Sequence, residues 1–162
     1  DGAASPSAAR SSASGRAAES TLLLPLVRGL AATLARTPAG EAVAIEVAIP
    51  ADAAVPIERT DLAEVLGNLL ENAVRHARSQ VRVAIDPATP RGVLVEDDGP
   101  GVAEDDRQRI LERGRRLDSS GGAGLGLAIV QDVLEAYGWR LRVQASPLGG
   151  LAATIAPAVP PG

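Results

Sequence analysis

The sequence contains no cysteine and no lysine. Without cysteine, the chain forms neither disulfides nor thiolate metal sites, which fits a reducing compartment. All sixteen basic residues are arginine, so chemistry that requires a lysine ammonium is excluded. The lysine of the P-loop and the strand lysine of the protein serine, threonine and tyrosine kinases are therefore both missing.

The sequence also has few aromatic residues, no excess of positive charge and no long apolar run. Tyr137 and Trp139 are the only aromatic residues, so the core must be aliphatic. The net charge of −4 and the absence of a basic block argue against binding to nucleic acid. No run approaches the roughly 18–20 apolar residues that span a bilayer, and the N-terminus lacks the order of a signal peptide. We expect a soluble chain.

The composition indicates one domain with a polar end. Of the first twenty residues, sixteen are Ala, Ser, Gly or Pro, a composition that cannot bury enough apolar surface to offset the entropy of ordering. We expect residues 1–20 to be a linker or a disordered end. Residues 21–158 are expected to form the domain, and residues 159–162 a tail.

Hydrophobic periodicity predicts an α+β domain. Asp61 and Glu64 have capping-box spacing, so the second helix is predicted to begin at Thr60 or Asp61, and Gly138 is predicted to end the last one. Helices on one face of a mixed, mostly antiparallel sheet make the expected fold a two-layer α/β sandwich. The predicted helices are 21–37, 60–78, 104–113 and 125–137, and the predicted strands are 43–49, 81–86, 91–96, 139–146 and 151–157, with the last four strands in two hairpins.

The segment NLLENAVRHA (68–77) is the first of three candidate ligand-binding segments. Asn68, Asn72 and Arg75 share one narrow face of the predicted helix, opposite a wide apolar face. An amide oxygen is a hard, neutral ligand for Mg²⁺, and an arginine one turn later can pair with a phosphate. On this helix alone, a solvated face explains the pattern equally well.

The other two segments are rich in glycine. In DDGPG (97–101), a carboxylate at a strand end can accept a hydrogen bond from an exocyclic amine, although an acidic turn alone explains these residues. GGAGLGLAIV (121–130) leads into a helix, where free N–H groups and the helix dipole favour a phosphate. A polar loop precedes it, whereas a dinucleotide fingerprint follows a strand directly.

In this order and spacing, the three segments resemble the N, G1 and G2 boxes of the GHKL superfamily of ATP-binding domains, in the version carried by bacterial sensor histidine kinases. The matching residues are NLLENAVRHA (68–77), DDGPG (97–101) and GAGLGLAIV (122–130), and the resemblance covers residues 21–158. Within this family, ERGRRLDSSGGAGLGLAIV and SPLGG look most like the PhoQ-type kinases. The resemblance implies the Bergerat, or GHKL, ATP-binding fold.

The resemblance also implies roles for residues of the N box. Asn72 would bind Mg²⁺, Asn68 would lie near the γ-phosphate and Arg75 would pair with phosphate, so Asn68 and Arg75 are the candidate catalytic residues. His76 would lie near the adenine and ribose. Although it is the only histidine, we reject it as the phosphoacceptor because it lies inside the N box and nothing around it resembles an acceptor motif. Glu71 is not assigned as a base.

For the G1 box, the resemblance implies that Asp97 accepts from the adenine amine and that Gly99 and Gly101 shape the pocket. Asp98 is not assigned as a base. Ile110 and Leu111 replace the usual phenylalanine of the F box, so lid docking is expected to differ. The candidate ATP-binding residues in and before the lid are Arg115, Arg116, Gly122, Gly124, Leu125, Gly126 and Leu127.

The implied function is binding of ATP and Mg²⁺ and transfer of the γ-phosphoryl group to a histidine on a separate dimerisation and phosphoacceptor domain, which feeds a response regulator. The sequence contains no acceptor motif, so we expect the catalytic fragment of a bacterial inner-membrane sensor, cytoplasmic, monomeric as a fragment and homodimeric at full length. Two alternatives stay open, an anti-sigma-factor-type serine kinase and a non-catalytic nucleotide-binding module. The GLGLAIV form and the upstream helix argue against the first.

Overall fold

The computed structural model describes residues 19–89, 91–115 and 122–158. Most of the predicted linker (1–20) and the whole predicted tail (159–162) lie outside the described residues, so both stay predictions. In the part of the chain that the structure describes, no helix has both the length and the hydrophobicity to cross a bilayer.

The helices and strands follow the predicted order. The strands are β1 (Thr21–Leu22), β2 (Ala44–Ala48), β3 (Ala54–Val55), β4 (Gln80–Ile85), β5 (Val93–Asp97), β6 (Trp139–Ala145) and β7 (Leu151–Pro157). The helices are α1 (Leu23–Ala35), α2 (Pro38–Glu41), α3 (Arg59–His76), α4 (Glu104–Arg115) and α5 (Gly122–Ala136). The sequence did not predict the shortest elements, β1, β3 and α2, because two to four residues are too few to show a periodicity. The first helix begins at Leu23, so the prediction that it begins at residue 21 is wrong.

Five strands form one mixed sheet in the order β2-β4-β5-β7-β6. Strand β2 runs parallel to β4, and the other neighbouring pairs are antiparallel, so both predicted hairpins are confirmed. A parallel pair needs a crossover connection, and α3 lies within that connection. Strands β1 and β3 pair separately as a small antiparallel sheet.

Aliphatic side chains join the helices to one face of this sheet. The wide apolar face of α3 is buried, as are the sheet residues Val81, Val83, Val93 and Ile155. Trp139, 6% exposed, is the only aromatic residue of the buried core in the described chain, which confirms the prediction of an aliphatic core. The two-layer sandwich and its mixed, mostly antiparallel sheet are confirmed.

The predicted capping box at the start of α3 is wrong. Glu58 is the N-cap, and its carboxylate accepts a hydrogen bond from the Thr60 N–H at 3.1 Å. Asp61 instead accepts a hydrogen bond from the Tyr137 hydroxyl, which follows the end of α5. Because Asp61 bonds to a residue that is distant in the sequence, it does not cap its own helix. Gly138, the second residue after α5, has a φ of 74°, as expected for the glycine that was predicted to end this helix.

Candidate functional site

A cavity of about 170 Å³ opens between α3, the loop after β5, α4, α5 and the sheet. Most of its walls are aliphatic. Its polar side chains among the described residues are Asn72, His76 and Asp97. Apolar walls with a few placed polar groups are typical of a site for a small organic ligand. The main apolar lining residues are Leu69, Val95, Ile110, Leu127, Val143 and Leu151.

Asp97, the last residue of β5, is the buried carboxylate of this cavity. It is 4% exposed. Its Oδ1 atom accepts hydrogen bonds from the N–H of Gly99 at 2.9 Å and, at 3.4 Å, from the N–H of Leu151. No described residue donates to its Oδ2 atom. Backbone donors therefore orient the carboxylate while one oxygen stays available as an acceptor for a ligand.

The two glycines of the DDGPG segment act differently. Gly101 lines the cavity with a φ of 75°, a conformation that favours glycine. Gly99 does not line it, and the space where a side chain would project is occupied by the His76 carbonyl group. Gly99 thus shapes the pocket indirectly, by letting the loop pack against the end of α3.

Of the predicted N-box residues on helix α3, Asn72 and His76 line the cavity, whereas Asn68 and Arg75 do not. Asn72 lines it, and the Asn72 carbonyl oxygen lies 2.9 Å from Nδ1 of His76. Asn68 lies one turn earlier and donates from Nδ2 to the Glu64 carbonyl at 2.7 Å. Arg75 is exposed and does not line the cavity. On this face the Asn72 amide therefore lies at the cavity, and the Asn68 amide lies one turn away, next to α5.

Two residues of the G2 segment meet this face. Leu127 lines the cavity and is 9% exposed. Gly126 packs against Asn68, because a Cβ at Gly126 would lie 3.0 Å from the Asn68 Oδ1 atom. Arg116 lies outside the described residues. The roles of the remaining candidates toward phosphate stay predictions, for Arg115 at the end of α4 and for Gly122, Gly124 and Leu125 in the first turn of α5.

Asp98 points away from the cavity toward the junction between α3 and β4. Its Oδ1 atom accepts from the N–H groups of Arg78, Ser79 and Gln80 at 2.9, 3.0 and 3.0 Å. The Ser79 hydroxyl donates to Oδ2 at 2.7 Å. The hydrogen bonds from Ser79, followed by those from Gln80 and Arg78, hold the pKa of Asp98 far below its usual range. Asp98 is thus a structural acceptor rather than a base.

The sequence of this domain matches a known protein family. Residues 57–161 match the family described as histidine kinase-, DNA gyrase B-, and HSP90-like ATPase. The chain belongs to this ATPase family. Its fold is therefore that of a GHKL ATPase domain, as the resemblance implied.

Sensor kinases are among the proteins that this ATPase domain resembles. Sensor protein kinase CarS of Pseudomonas aeruginosa is 50% identical over 105 residues, which are 62% of this chain and 23% of CarS. Two-component sensor PhoQ of the same bacterium is 42% identical over 130 residues, which are 79% of this chain and 29% of PhoQ. The structure of the mycobacterial sensor histidine kinase MprB has a TM-score of 0.69 at 26% identity, covering 85% of this chain and 94% of that one.

These likenesses confirm the resemblance to sensor histidine kinases, PhoQ among them. The ATPase domain spans less than a third of the length of the curated relatives, 23% of CarS and 29% of PhoQ.

The residues of the domain fit ATP and Mg²⁺ in different ways. The buried Asp97 carboxylate in an aliphatic cavity fits an aminopurine, whose amine donates and whose ring is flat. The described residues contain no group of three or more His, Cys, Asp or Glu side chains that could hold a metal ion. Mg²⁺ normally takes only one or two protein ligands beside phosphate oxygens, so the Asn72 amide suits a metal that arrives with a nucleotide.

Sequence reasoning missed the contribution of the turn between β6 and β7. The Gly150 N–H donates to the Asp97 carbonyl at 3.1 Å, and the next N–H, that of Leu151, reaches Oδ1. The only sequence signal was the PLGG segment, which predicts a turn but not its partner. Val143 and Ala153, also from this hairpin, complete the apolar wall.

Proposed function

We propose that this ATPase domain binds Mg-ATP in the cavity and supplies the γ-phosphoryl group to a histidine on a separate phosphoacceptor domain, which then passes it to an aspartate of a response regulator. One observation carries the proposal. Asp97 is a buried carboxylate that is oriented by backbone N–H groups and presents an acceptor oxygen to an aliphatic cavity. This arrangement suits an adenine amine and disfavours a ring carbonyl at the same position.

The face of α3 that carries Asn68 and Asn72 would hold the triphosphate end. Asn72 lines the cavity and is the proposed Mg²⁺ ligand. Asn68 lies one turn earlier on α3, against Gly126 of the second turn of α5, and the N–H groups of the preceding turn, at the N-terminus of α5, would favour phosphate. Arg75 is exposed on the same helix and is proposed to pair with phosphate.

Phosphoryl transfer depends mainly on positioning and charge neutralisation. When bound, Mg²⁺ would neutralise charge on the phosphate oxygens. The side chains of this domain would hold the base, the amide ligand and the phosphates in line, while the histidine nucleophile comes from another domain. Asp98 has its carboxylate engaged by four hydrogen bonds, so it is not proposed as a base.

The relatives suggest the wider setting of this reaction. CarS and PhoQ are named as sensor proteins, and each is several times longer than the matched segment. We propose that the domain is the cytoplasmic catalytic part of a bacterial inner-membrane sensor, monomeric alone and homodimeric at full length. His76 lines the nucleotide cavity and lies within hydrogen-bond distance of the Asn72 carbonyl, which suits a contact with the base or ribose rather than a phosphoacceptor.

Calorimetric titration with a non-hydrolysable ATP analogue, with and without Mg²⁺, tests the binding step. We expect Mg²⁺-dependent binding that Asp97→Asn abolishes, because the substitution places a donor opposite the adenine amine. Asp52→Asn makes the same chemical change in an exposed turn and serves as the matched control. Absence of binding to the folded wild-type domain would contradict the proposal.

The acceptor is tested separately by adding a phosphoacceptor domain and radiolabelled ATP. Acid-labile, base-stable label on that domain indicates phosphohistidine and supports the kinase assignment. Label on a serine of a partner protein would indicate an anti-sigma-factor-type kinase. Binding without transfer to either would indicate a nucleotide-binding module.

A further inference from the structure

Gly150, in the turn between β6 and β7, approaches the Asp97 carboxylate more closely than any side chain would allow. A Cβ atom at this position would overlap Asp97 Oδ1 and would lie 2.5 Å from the Asp97 carbonyl oxygen and 2.6 Å from the Gly99 nitrogen. Real Cβ atoms essentially never come within 3.0 Å of such atoms. The turn therefore lies directly against the loop that carries the carboxylate.

Backbone conformation does not account for this glycine. Among the described glycines, positive φ angles occur at Gly101, Gly138 and Gly149, and Gly150 is not one of them. Its neighbour Gly149 has the opposite properties, with a φ of 113° and open space where a side chain would project. The two adjacent glycines thus differ, since Gly149 permits the turn and Gly150 permits the contact with Asp97.

The contact is held from both sides. The Gly150 N–H donates to the Asp97 carbonyl at 3.1 Å, and the Ser146 N–H donates to the Gly150 carbonyl at 2.8 Å. Ser146 is 8% exposed, and its hydroxyl donates to the buried Glu96 carboxylate at 2.8 Å. Because Glu96 directly precedes Asp97 on β5, the turn is tied to the same strand at two successive residues.

We infer that Gly150 is a positioning residue for base selection, in that its missing side chain lets the β6–β7 turn hold Asp97 Oδ1 and leave Oδ2 facing the cavity. This inference rests on the proposed function, since the selected ligand is an aminopurine nucleotide. A methyl group at position 150 would either rotate the carboxylate or separate the turn from the loop. In both cases the acceptor would no longer face the 6-amino group of the purine.

The test compares binding of ATP with binding of ITP, which carries a carbonyl oxygen in place of the 6-amino group. The ratio of the two dissociation constants does not depend on the fraction of folded protein, so a loss of stability alone leaves it unchanged. For the wild type we expect ITP to bind at least about tenfold more weakly, the order of discrimination of a hydrogen bond to a charged group. Gly150→Ala is expected to bring the ratio close to one.

Gly149→Ala is the matched control, because it strains the same turn without adding an atom near Asp97. It is expected to lower the melting temperature and to keep the wild-type ratio. Ser146→Ala adds no atoms and loosens the turn, so it is expected to reduce the ratio by a smaller factor. If Gly150→Ala does not fold, the ratio measured for Ser146→Ala tests the inference in its place.

Each outcome separates the inference from the proposed function. Preference for ATP in the wild type that is lost in Gly150→Ala supports the inference. An unchanged ratio in Gly150→Ala, or in Ser146→Ala where Gly150→Ala is unfolded, overturns it and leaves ATP binding intact. Equal binding of ATP and ITP by the wild type overturns it as well. If the folded wild type binds neither nucleotide, the proposed function fails and the inference fails with it.

Discussion

Asp97 and Asp98 are adjacent aspartates whose side chains face opposite sides of the chain and have different roles. Asp97 faces the cavity, with one oxygen held by backbone N–H groups and the other without a described donor. Asp98 faces the junction of α3 and β4, where three N–H groups and one hydroxyl surround its oxygens. The alternation of an extended chain sends them to opposite sides. The donors around a carboxylate, and not its chemistry, separate a ligand-binding role from a structural one.

The difference has a consequence for stability as well as for binding. A carboxylate whose oxygens are saturated by protein donors stabilises the fold and has no acceptor left for a ligand. A buried carboxylate with an open oxygen contributes less to the fold and retains its capacity to select a ligand. The two residues therefore predict separable phenotypes, one in stability and one in nucleotide affinity.

Gly99→Ala should reduce both stability and nucleotide affinity, and its effect should be the largest of the series. Gly99 donates its N–H to Asp97, and a Cβ at this position would overlap the His76 carbonyl at the end of α3. We expect a loss of at least about 2 kcal/mol in unfolding free energy, typical of overpacking against rigid backbone, together with loss of ATP binding. Urea unfolding and calorimetry measure the two effects. Retained affinity would show that the loop positions Asp97 independently of α3.

Asp98→Ala should affect stability alone. It leaves the N–H groups of Arg78, Ser79 and Gln80 without their acceptor, so the melting temperature is expected to fall by several degrees. Asp98→Asn is the matched control, since its amide oxygen still accepts from these N–H groups. Its melting temperature should fall less than that of Asp98→Ala. The ATP affinity of the folded protein should change little. A large loss of affinity in Asp98→Asn at full folding would contradict the separation.

The stabilisation by Asp98 should also depend on pH. Because hydrogen bonds hold its pKa in the folded state far below the value in the unfolded chain, the charged form stabilises the fold. This contribution is complete above the unfolded pKa, about 4, and decreases as the pH falls from there toward the folded pKa. The stability gap between wild type and Asp98→Ala, measured by urea unfolding, should therefore narrow below about pH 5. A constant gap down to pH 3 would contradict this explanation.

Ser79→Ala should have the smallest effect of the series. It removes the hydroxyl that donates to Asp98 Oδ2 at 2.7 Å and keeps the three N–H groups on Oδ1. We expect a smaller decrease in melting temperature than in Asp98→Ala and no change in nucleotide affinity. Thermal denaturation of both variants under one condition measures the difference. A decrease as large as that of Asp98→Ala would mean that the hydroxyl is the main partner of the carboxylate.

Much of the fold followed from local patterns. The long helices and the strands of both hairpins are periodic over five or more residues, and such segments keep their local preference in the tertiary structure. The start of α3 did not follow, because Asp61 bonds to Tyr137, which follows the end of α5, and leaves capping to Glu58. A capping box takes into account only hydrogen bonds between residues that are close in the sequence. Here a partner from a distant part of the chain engages the predicted capping side chain.

The sequence by itself determined the order of the elements, the aliphatic core and the family, since each depends on residue types at short and regular spacings. Only the tertiary structure decided which carboxylate faces the cavity, why Gly99 and Gly150 lack side chains, and that Gly126 packs on Asn68. These features depend on contacts between segments that are far apart in the chain. Close packing leaves no room for a Cβ at such contacts, and no spacing within one segment reveals where the next will lie.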